Sequence, residues 1–562
     1  MKHKILVFSV ALAAVFNIYA ARSFIENSSP TYDEPLHIAA GHAYWKTGKY
    51  RINIKDHPPL AEMAAALPLL FFKLDAFETS RLYSDNDQYN WADLFIYQNA
   101  AGAEKIVNTA RLFSYFLWTT LMAFFIFLFA KELVSAEAGL LSALVFLLMP
   151  VFISNNALVA TDSAAAGLYL AAFLFALLFA RHYKGGVKEK KAWLYLGLCA
   201  LASASAMASK FSMAVLPGFI LLMWLIEFAV TNRAAELKKL LLPALIYLAG
   251  TFAALAVIYG FTQVNLYFEG LAATAARLKT GRPSFINGNH SIYGVWWYFP
   301  FAFLIKTPLS VLIFFAAGMV YSLKNGRESH IWLFAPFILY FICAAGSKLQ
   351  IGVRHILPVM PFCVIFAGTG AQVFLERKYL RPAAVLLILA LAFSVANVHP
   401  YYLAYFNEAA GGPGNGYKRL VDSNLDWGQD LKTLAGYLKK EGSPPVYLAY
   451  FGTAKPQYYG IKYIPFGLYS DVRFQGAVEA PPEGGRVLVA VSATNLQSAY
   501  YRNKEFFNWL LKKEPVFKAG YSIFVYDLTQ DMEARTKMAG TFRRLSLPAY
   551  ADSLLKNRFS DE

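Results

Sequence analysis

Through the first four hundred residues, long apolar runs alternate with short polar ones, and near Val398 that rhythm stops. Runs of membrane-spanning length lie near residues 5–21, 110–130, 138–154, 163–181, 192–208, 212–230, 240–259, 299–321, 331–346, 356–374 and 382–398. At about twenty residues per crossing, they predict about eleven transmembrane helices. Past 398 the pattern is that of a water-facing fold. Leu431, Leu434 and Leu438 recur at helical spacing within Gly428–Lys440. Pro445–Phe451, Arg486–Ser492 and Tyr521–Leu528 are β-branched and aromatic runs bounded by Gly and Pro, which predicts strands. The reading is a mainly α, polytopic membrane protein with a small C-terminal α/β domain: residues 1–398 in the membrane, 399–562 outside it. The tail after Gln530 is mixed and charged and carries no pattern.

Composition agrees. Of 562 residues, 57% are hydrophobic and 16% charged, against roughly half and a quarter in soluble domains. A net charge of +16 raises the question of nucleic acid, but the position of the charges excludes it. Taking the N-terminus as cytoplasmic, alternate loops hold Lys131; Arg181, Lys184, Lys188, Lys190 and Lys191; Arg233, Lys238 and Lys239; Lys324 and Arg327; Arg377, Lys378 and Arg381. Basic residues gathered in cytoplasmic loops set topology. Met1–Ala20 has the makings of a signal peptide, but reading it as an anchor that stays as the first helix orients every later helix correctly. The outer segments are then 22–109, 155–162, 209–211, 260–298, 347–355 and everything after 399. Cys199, Cys343 and Cys363 fall in apolar runs, without disulfide or zinc spacing.

This topology places the unusual polar residues on one face. Asp33 and Glu34 stand in Tyr32-Asp33-Glu34-Pro35-Leu36-His37 at the start of the first outer loop. A carboxylate there suits a general base that takes a proton from an acceptor hydroxyl; equally, Asp33 before Glu34-Pro35 suits a helix N-cap. Glu34 and His37, three apart, would share a helix face and could bind a divalent metal with help from His42 or His57, or simply pack at the interface. In His57-Pro58-Pro59-Leu60 the prolines fix the angle at which the imidazole is presented. Asp162 opens a helix in Ala160-Thr161-Asp162-Ser163, as a cap or as a second acid. Lys210, Lys348, Arg354 and His355 lie at outer mouths, and Lys306 inside an apolar run, where a charge is expensive. Cations in these places suit a phosphate at the membrane surface; snorkelling side chains are the plainer account. A last constellation, Asn407, Glu408, Asp422, Asn424, Asp426, Trp427 and Gln429, is rich in carboxylates and amides around an aromatic platform. That makes it a candidate acceptor site; equally, Asp426 or Asp430 suits the cap of the helix that follows. An outward-facing site has no nucleotide sugar at hand, so its donor must be an energised molecule already carried across the membrane.

The acidic pair, His57-Pro58-Pro59-Leu60, Arg111, Thr161-Asp162, Ser209-Lys210 and Arg354-His355-Ile356-Leu357-Pro358, in that order, resemble the protein O-mannosyltransferase superfamily, whose bacterial relatives include the aminoarabinose transferase of lipid A. Gly294–Pro300, Lys306-Thr307-Pro308 and Asn407–Asp430 are similar to a bacterial family-39-type branch. The resemblance covers roughly residues 1–400. It implies a GT-C fold, with interfacial helices in the loop 22–109 and a cavity facing the periplasm, in a bacterial inner membrane. It implies a polyprenyl-phosphate-linked monosaccharide as donor, a lipid, glycan or protein as acceptor, and an inverting transfer. Asp33 would be the base, Glu34 its neighbour and Asp162 a second acid; Arg111, Lys210, Lys306, Arg354 and His355 would serve the donor phosphate or sugar, with His57 shaping the site. Two other readings are a flippase for lipid-linked sugars and an undecaprenyl-diphosphate-glycan polymerase or ligase. A transporter would carry mid-membrane polar residues and a repeat, which this sequence lacks.

Overall fold

Every apolar run becomes helical in the computed structural model, which describes residues 2–183, 189–230, 238–325, 330–467 and 486–556. Lys184, Lys188, Arg233 and Arg327, which entered the charge count, lie outside the described residues. Among the described residues six helices are long and apolar enough to cross a membrane, His3–Asn27, Ala103–Leu133, Thr161–His182, Phe211–Val230, Lys238–Ile258 and Val353–Glu376. Two bent pairs raise the number to eight if each is one span. That is fewer than the eleven runs imply, and part of the reason is proline. Pro150 breaks one run into Ala136–Leu147 and Pro150–Asn156, bent by 67°; Pro308 separates Tyr298–Lys306 from Leu309–Lys324, bent by 113°. A proline ring removes one N–H and fills the place of the preceding turn's carbonyl, so a straight helix cannot pass through it. Ile331–Ala345 and Arg381–Asn397 are apolar but shorter.

The outer surface of these helices is itself apolar: Phe8, Leu386 and Phe393 are 70%, 66% and 70% exposed. In water that surface would be costly; against lipid tails it is matched. Inside, helices meet closely where side chains are absent. A Cβ on Gly318 would lie 1.8 Å from the Phe366 carbonyl oxygen, and one on Gly370 1.9 Å from that of Phe314. This reciprocal fit locks Leu309–Lys324 against Met360–Glu376.

The segment after the first helix forms its own small layer, with helices Glu34–Thr47, Leu60–Ala66 and Gln88–Tyr97 around Trp91, Phe95 and Ile38. Toward the C-terminus a five-stranded sheet runs in the order Tyr463–Pro465, Val446–Ala449, Leu488–Ser492, Ile523–Asp527, Phe517–Ala519. The first three are parallel and the last two antiparallel to their neighbours. Its central strands are buried on both faces. Val446, Leu448, Leu488 and Val525 face Leu431, Leu434 and Leu438 of the helix Leu431–Lys440. Alternate residues such as Tyr447, Val489 and Tyr526 join a core with Met538 and Phe542. That second cover comes from Met532–Arg544 and Pro548–Leu555, in the tail whose sequence carries no legible pattern.

Candidate functional site

Two adjacent acids at the head of the helix Glu34–Thr47 go separate ways. Glu34 is fully buried and takes a two-pronged grip from Arg111, Nε to Oε1 at 2.9 Å and Nη2 to Oε2 at 2.6 Å. It also accepts from the Thr31 amide and hydroxyl and from the Val159 amide. Burial pushes its carboxyl up, and Arg111 with these hydrogen bonds more than offsets that, leaving it below the usual range. Arg111 spends its other N–H groups on the carbonyls of Ile25, Ser28 and Ser29. Neither residue has a face left for substrate, which departs from the reading of Glu34 as a catalytic neighbour and of Arg111 as a donor-phosphate ligand. Their place is structural. They fix Asp33, one residue before Glu34, and Asp162, three after Val159.

Asp33 begins the same helix but makes no capping hydrogen bond. Its Oδ2 lies 3.6 Å from Arg354 Nη2. Arg354 reaches on with Nη1 to Asp162 Oδ2 at 3.5 Å, donates from Nε to Ser423 Oγ at 3.0 Å, and lies 4.1 Å over the Trp427 ring. Lys210 pairs with the other Asp162 oxygen. Asp162 caps no helix either: the cap position is Ala160. The two acids differ in one decisive respect, because the Asp33 side chain is 24% exposed and that of Asp162 only 1%. Asp162 is committed to the cations; Asp33 can still meet a ligand.

Two histidines border this cluster. The turn Asn53–His57 closes by hydrogen bonds to the Asn53 carbonyl, and the Leu60 amide donates to the Ala208 carbonyl, which seats the His57 turn beside Lys210. Burial, then the charges of His37 and Arg354, hold the His57 imidazole well below its ordinary value, so it is neutral at pH 7. His355 leaves its buried Nε2 with no hydrogen-bond partner among the described residues. Behind His57, its ring edge-on at 4.7 Å, stands His37, bonded through Nδ1 to Glu62 at 2.7 Å. Burial pulls the His37 imidazole down and Glu62 overrides it, leaving it raised; burial lifts the Glu62 carboxyl as well. His37 thus turns to Glu62 and Glu34 to Arg111, so the pair whose spacing invited a divalent ion does not fit one. His42 faces Glu78 at 3.7 Å. Among the described residues no three His, Cys, Asp or Glu side chains gather closely enough to hold a metal.

The Asn407–Asp430 stretch is a strap that braces the site, and most of it is buried. Asn407 donates to the carbonyls of Leu304 and Thr307, and its amide to that of Ile305, satisfying the helix end that Pro308 interrupts. Lys306 donates to the carbonyls of Leu403 and Asn424 and lies 4.3 Å over Phe406, so its ammonium is already held by protein groups. Asn424 accepts from the Val353 amide and donates to Tyr298. Gln429 bonds to Leu425 and Asp430, and Trp427 is covered by Arg354. Asp426 accepts from the Thr494 amide and Asp430 from Ser522 and Gln429; Asp430 stands at the N-cap of the helix beginning at Leu431, but its side chain makes no capping bond. Burial pushes Asp422 up, Asp426 up to about 7 and Asp430 up to about 8. Only Glu408 of this set is exposed, bonded to Ser394. The strap is therefore not an open acceptor surface.

Sequence reasoning passed over Glu62, Arg282 and Tyr500, and gave Ser423 no role of its own within the Asn407–Asp430 stretch. Arg282 lies 5.5 Å over the Tyr500 ring, within electrostatic reach of Asp422 and Asp33, and Tyr500 donates to Asp422. One signal was present: Asn287-Gly288, both at positive φ, turns the hairpin Ser284–Ile286 and Asn289–Ser291 next to Arg282.

Residues 105–268, which carry Arg111, Asp162 and Lys210, match the family described as dolichyl-phosphate-mannose-protein mannosyltransferase. No curated protein matches. Among solved structures, ArnT from Cupriavidus metallidurans bound to undecaprenyl phosphate is 13% identical, with a TM-score of 0.49 over 94% of this chain and 98% of the other. The apo oligosaccharyltransferase of Archaeoglobus fulgidus is 12% identical, TM-score 0.49, over 73% of this chain and 57% of the other. The S. cerevisiae Pmt1-Pmt2 complex bound to the sugar donor is 19% identical, TM-score 0.32, over 48% and 34%.

Proposed function

We propose, on the premise that this chain is a membrane glycosyltransferase of the GT-C superfamily, that it moves one monosaccharide from a polyprenyl-phosphate donor to an acceptor hydroxyl with inversion at the anomeric carbon. The reaction takes place on the outer face of a bacterial inner membrane, with the N-terminus in the cytoplasm and the sheet domain in the periplasm. The observation that carries this reading is Arg354 bridging one open acid and one closed one, Asp33 and Asp162, with Lys210 on the far side.

In that frame Asp33 accepts the proton of the acceptor hydroxyl as its oxygen bonds to the anomeric carbon. The bond from that carbon to the phosphate oxygen breaks, and its electron pair leaves with the polyprenyl phosphate. Lys210 and Arg354 meet the charge that develops there, as preorganised cations do in a partly dry site. Asp162 holds both cations in place. Neutral His57 and the unpartnered Nε2 of His355 are hydrogen-bonding groups for the sugar or the phosphate. The acceptor class is a lipid, glycan or protein.

The test is turnover by the full chain in liposomes with a polyprenyl-phosphate monosaccharide and envelope extract as acceptor, followed by mass spectrometry. Asp33→Asn should lose about 10²–10⁴-fold in rate, the usual contribution of a positioned base, while polyprenyl phosphate binds as tightly as to the wild type. Wild-type turnover by Asp33→Asn would remove Asp33 from the base position.

A further inference from the structure

Beside the cation cluster, a cleft opens between the helix Gln88–Tyr97 and the segment that follows the strand Val446–Ala449. Its volume is about 220 Å³, below the range of about 300–1,000 Å³ typical for drug-sized ligands. Aromatic rings form one wall: Tyr32 lies 6.4 Å from Tyr89 and 5.5 Å from Phe451. Phe451 stacks in turn on Tyr500 at 5.5 Å, which carries Arg282 over its ring. Polar groups form the rest, with Asp93 3.6 Å from Lys455 and Gln457 at the rim.

We propose that this cleft seats one sugar ring of the acceptor, so that the acceptor is a glycan or glycolipid; the assignment rests on the glycosyl-transfer reading above. A pyranose has an apolar face of C–H bonds and a rim of hydroxyls. Tyr89 stands at 79° to Tyr32, so one of these rings offers its electron-rich face to the C–H face of the sugar, and the rim matches a carboxylate, an ammonium and an amide, which together accept and donate. A lipid tail would leave Asp93 and Lys455 in contact with hydrocarbon, which is unfavourable. The wall is rigid where it matters, because Thr453 donates to the Tyr32 carbonyl at 2.7 Å and the Tyr32 amide to that of Trp427 at 2.9 Å. Tyr32 immediately precedes Asp33 in the chain, so this wall belongs to the segment that carries the proposed base.

The test is saturation-transfer NMR on the full chain in detergent, with methyl pyranosides of glucose, galactose, mannose and N-acetylglucosamine as probes. Saturation should pass to at least one of them. Affinity should fall about tenfold, the equivalent of about 1.4 kcal/mol, in Tyr89→Ala, and should return in Tyr89→Phe, which keeps the ring; Tyr89 is 38% exposed on its helix, so the fold survives either change. No transfer to any probe, equal affinity in Tyr89→Ala, or glycosylation of a peptide in preference to a glycan would overturn the proposal. A parallel assay of sugar release from the donor to water separates the two readings: release without probe binding leaves the transferase and removes the cleft, and probe binding without release does the reverse.

Discussion

Charges in an apolar sequence are rare enough to be found by eye, but their partners are not. Asp33, Asp162, Lys210 and Arg354 stand out at the ends of apolar runs, and the structure gathers all four. Glu34 and Arg111 stand out equally and form instead a buried pair across 77 positions. Nothing in the spacing separates a carboxylate that faces a ligand from its neighbour that faces an arginine; only the turn of the backbone at Thr31–Glu34 does. The strap acids show the same limit, since their number suggested a surface and burial made them internal. Asp430 gives this a measurable form. Its folded carboxyl is pushed up to about 8 by burial, against about 3.9 when unfolded. The folded protein therefore keeps a proton that the unfolded chain releases. The stabilisation is complete below about pH 4 and disappears as pH rises through about 8. Melting temperature in detergent should decline over that interval, and more shallowly in Asp430→Asn, which cannot ionise. Parallel slopes for the two proteins would show that Asp430 is not the group responsible.

At the level of helices and strands, hydrophobic period located the elements well and their continuity badly. The strands expected at Pro445–Phe451, Arg486–Ser492 and Tyr521–Leu528 appear at Val446–Ala449, Leu488–Ser492 and Ile523–Asp527. Tyr463–Pro465 and Phe517–Ala519, three residues each, are too short for a period to register. The runs at 138–154 and 299–321 read as continuous along the sequence; Pro150 and Pro308 stand at the breaks, and the angle of each depends on what satisfies the freed carbonyls. At the second break that group is Asn407, about a hundred positions away. Asn407→Ala leaves the Leu304 and Thr307 carbonyls without their donor. At about 1–3 kcal/mol for an unmet buried group, a drop of several degrees in melting temperature is expected. An unchanged midpoint would mean that water replaces the amide at no cost.

Taken whole, the molecule has no seam between its membrane part and its sheet. Ser29 donates to the Gln429 carbonyl, Tyr32 to that of Trp427, and Lys432 reaches Glu26 and Glu104. The composition shift at Val398 marks where the solvent changes, not where cooperation ends. Arg354 is oriented partly by Trp427, which sits on the sheet side of that shift. Trp427→Ala should therefore weaken polyprenyl phosphate binding about 2- to 30-fold, the equivalent of about 0.5–2 kcal/mol for a cation over an aromatic face, and Trp427→Phe should recover most of it. Full affinity in Trp427→Ala would confine the strap to a scaffolding role.

The groups around Arg354 come from residues 33, 162, 210, 423 and 427. During synthesis the chain emerges from its N-terminus, so the early acids enter the membrane long before the arginine that bridges them, and the arginine before the serine and tryptophan that aim it. About three quarters of the polypeptide must be made before the centre can exist. An unfinished chain stalled in the membrane thus lacks the assembled centre, which is complete only once residue 427 of 562 has been made.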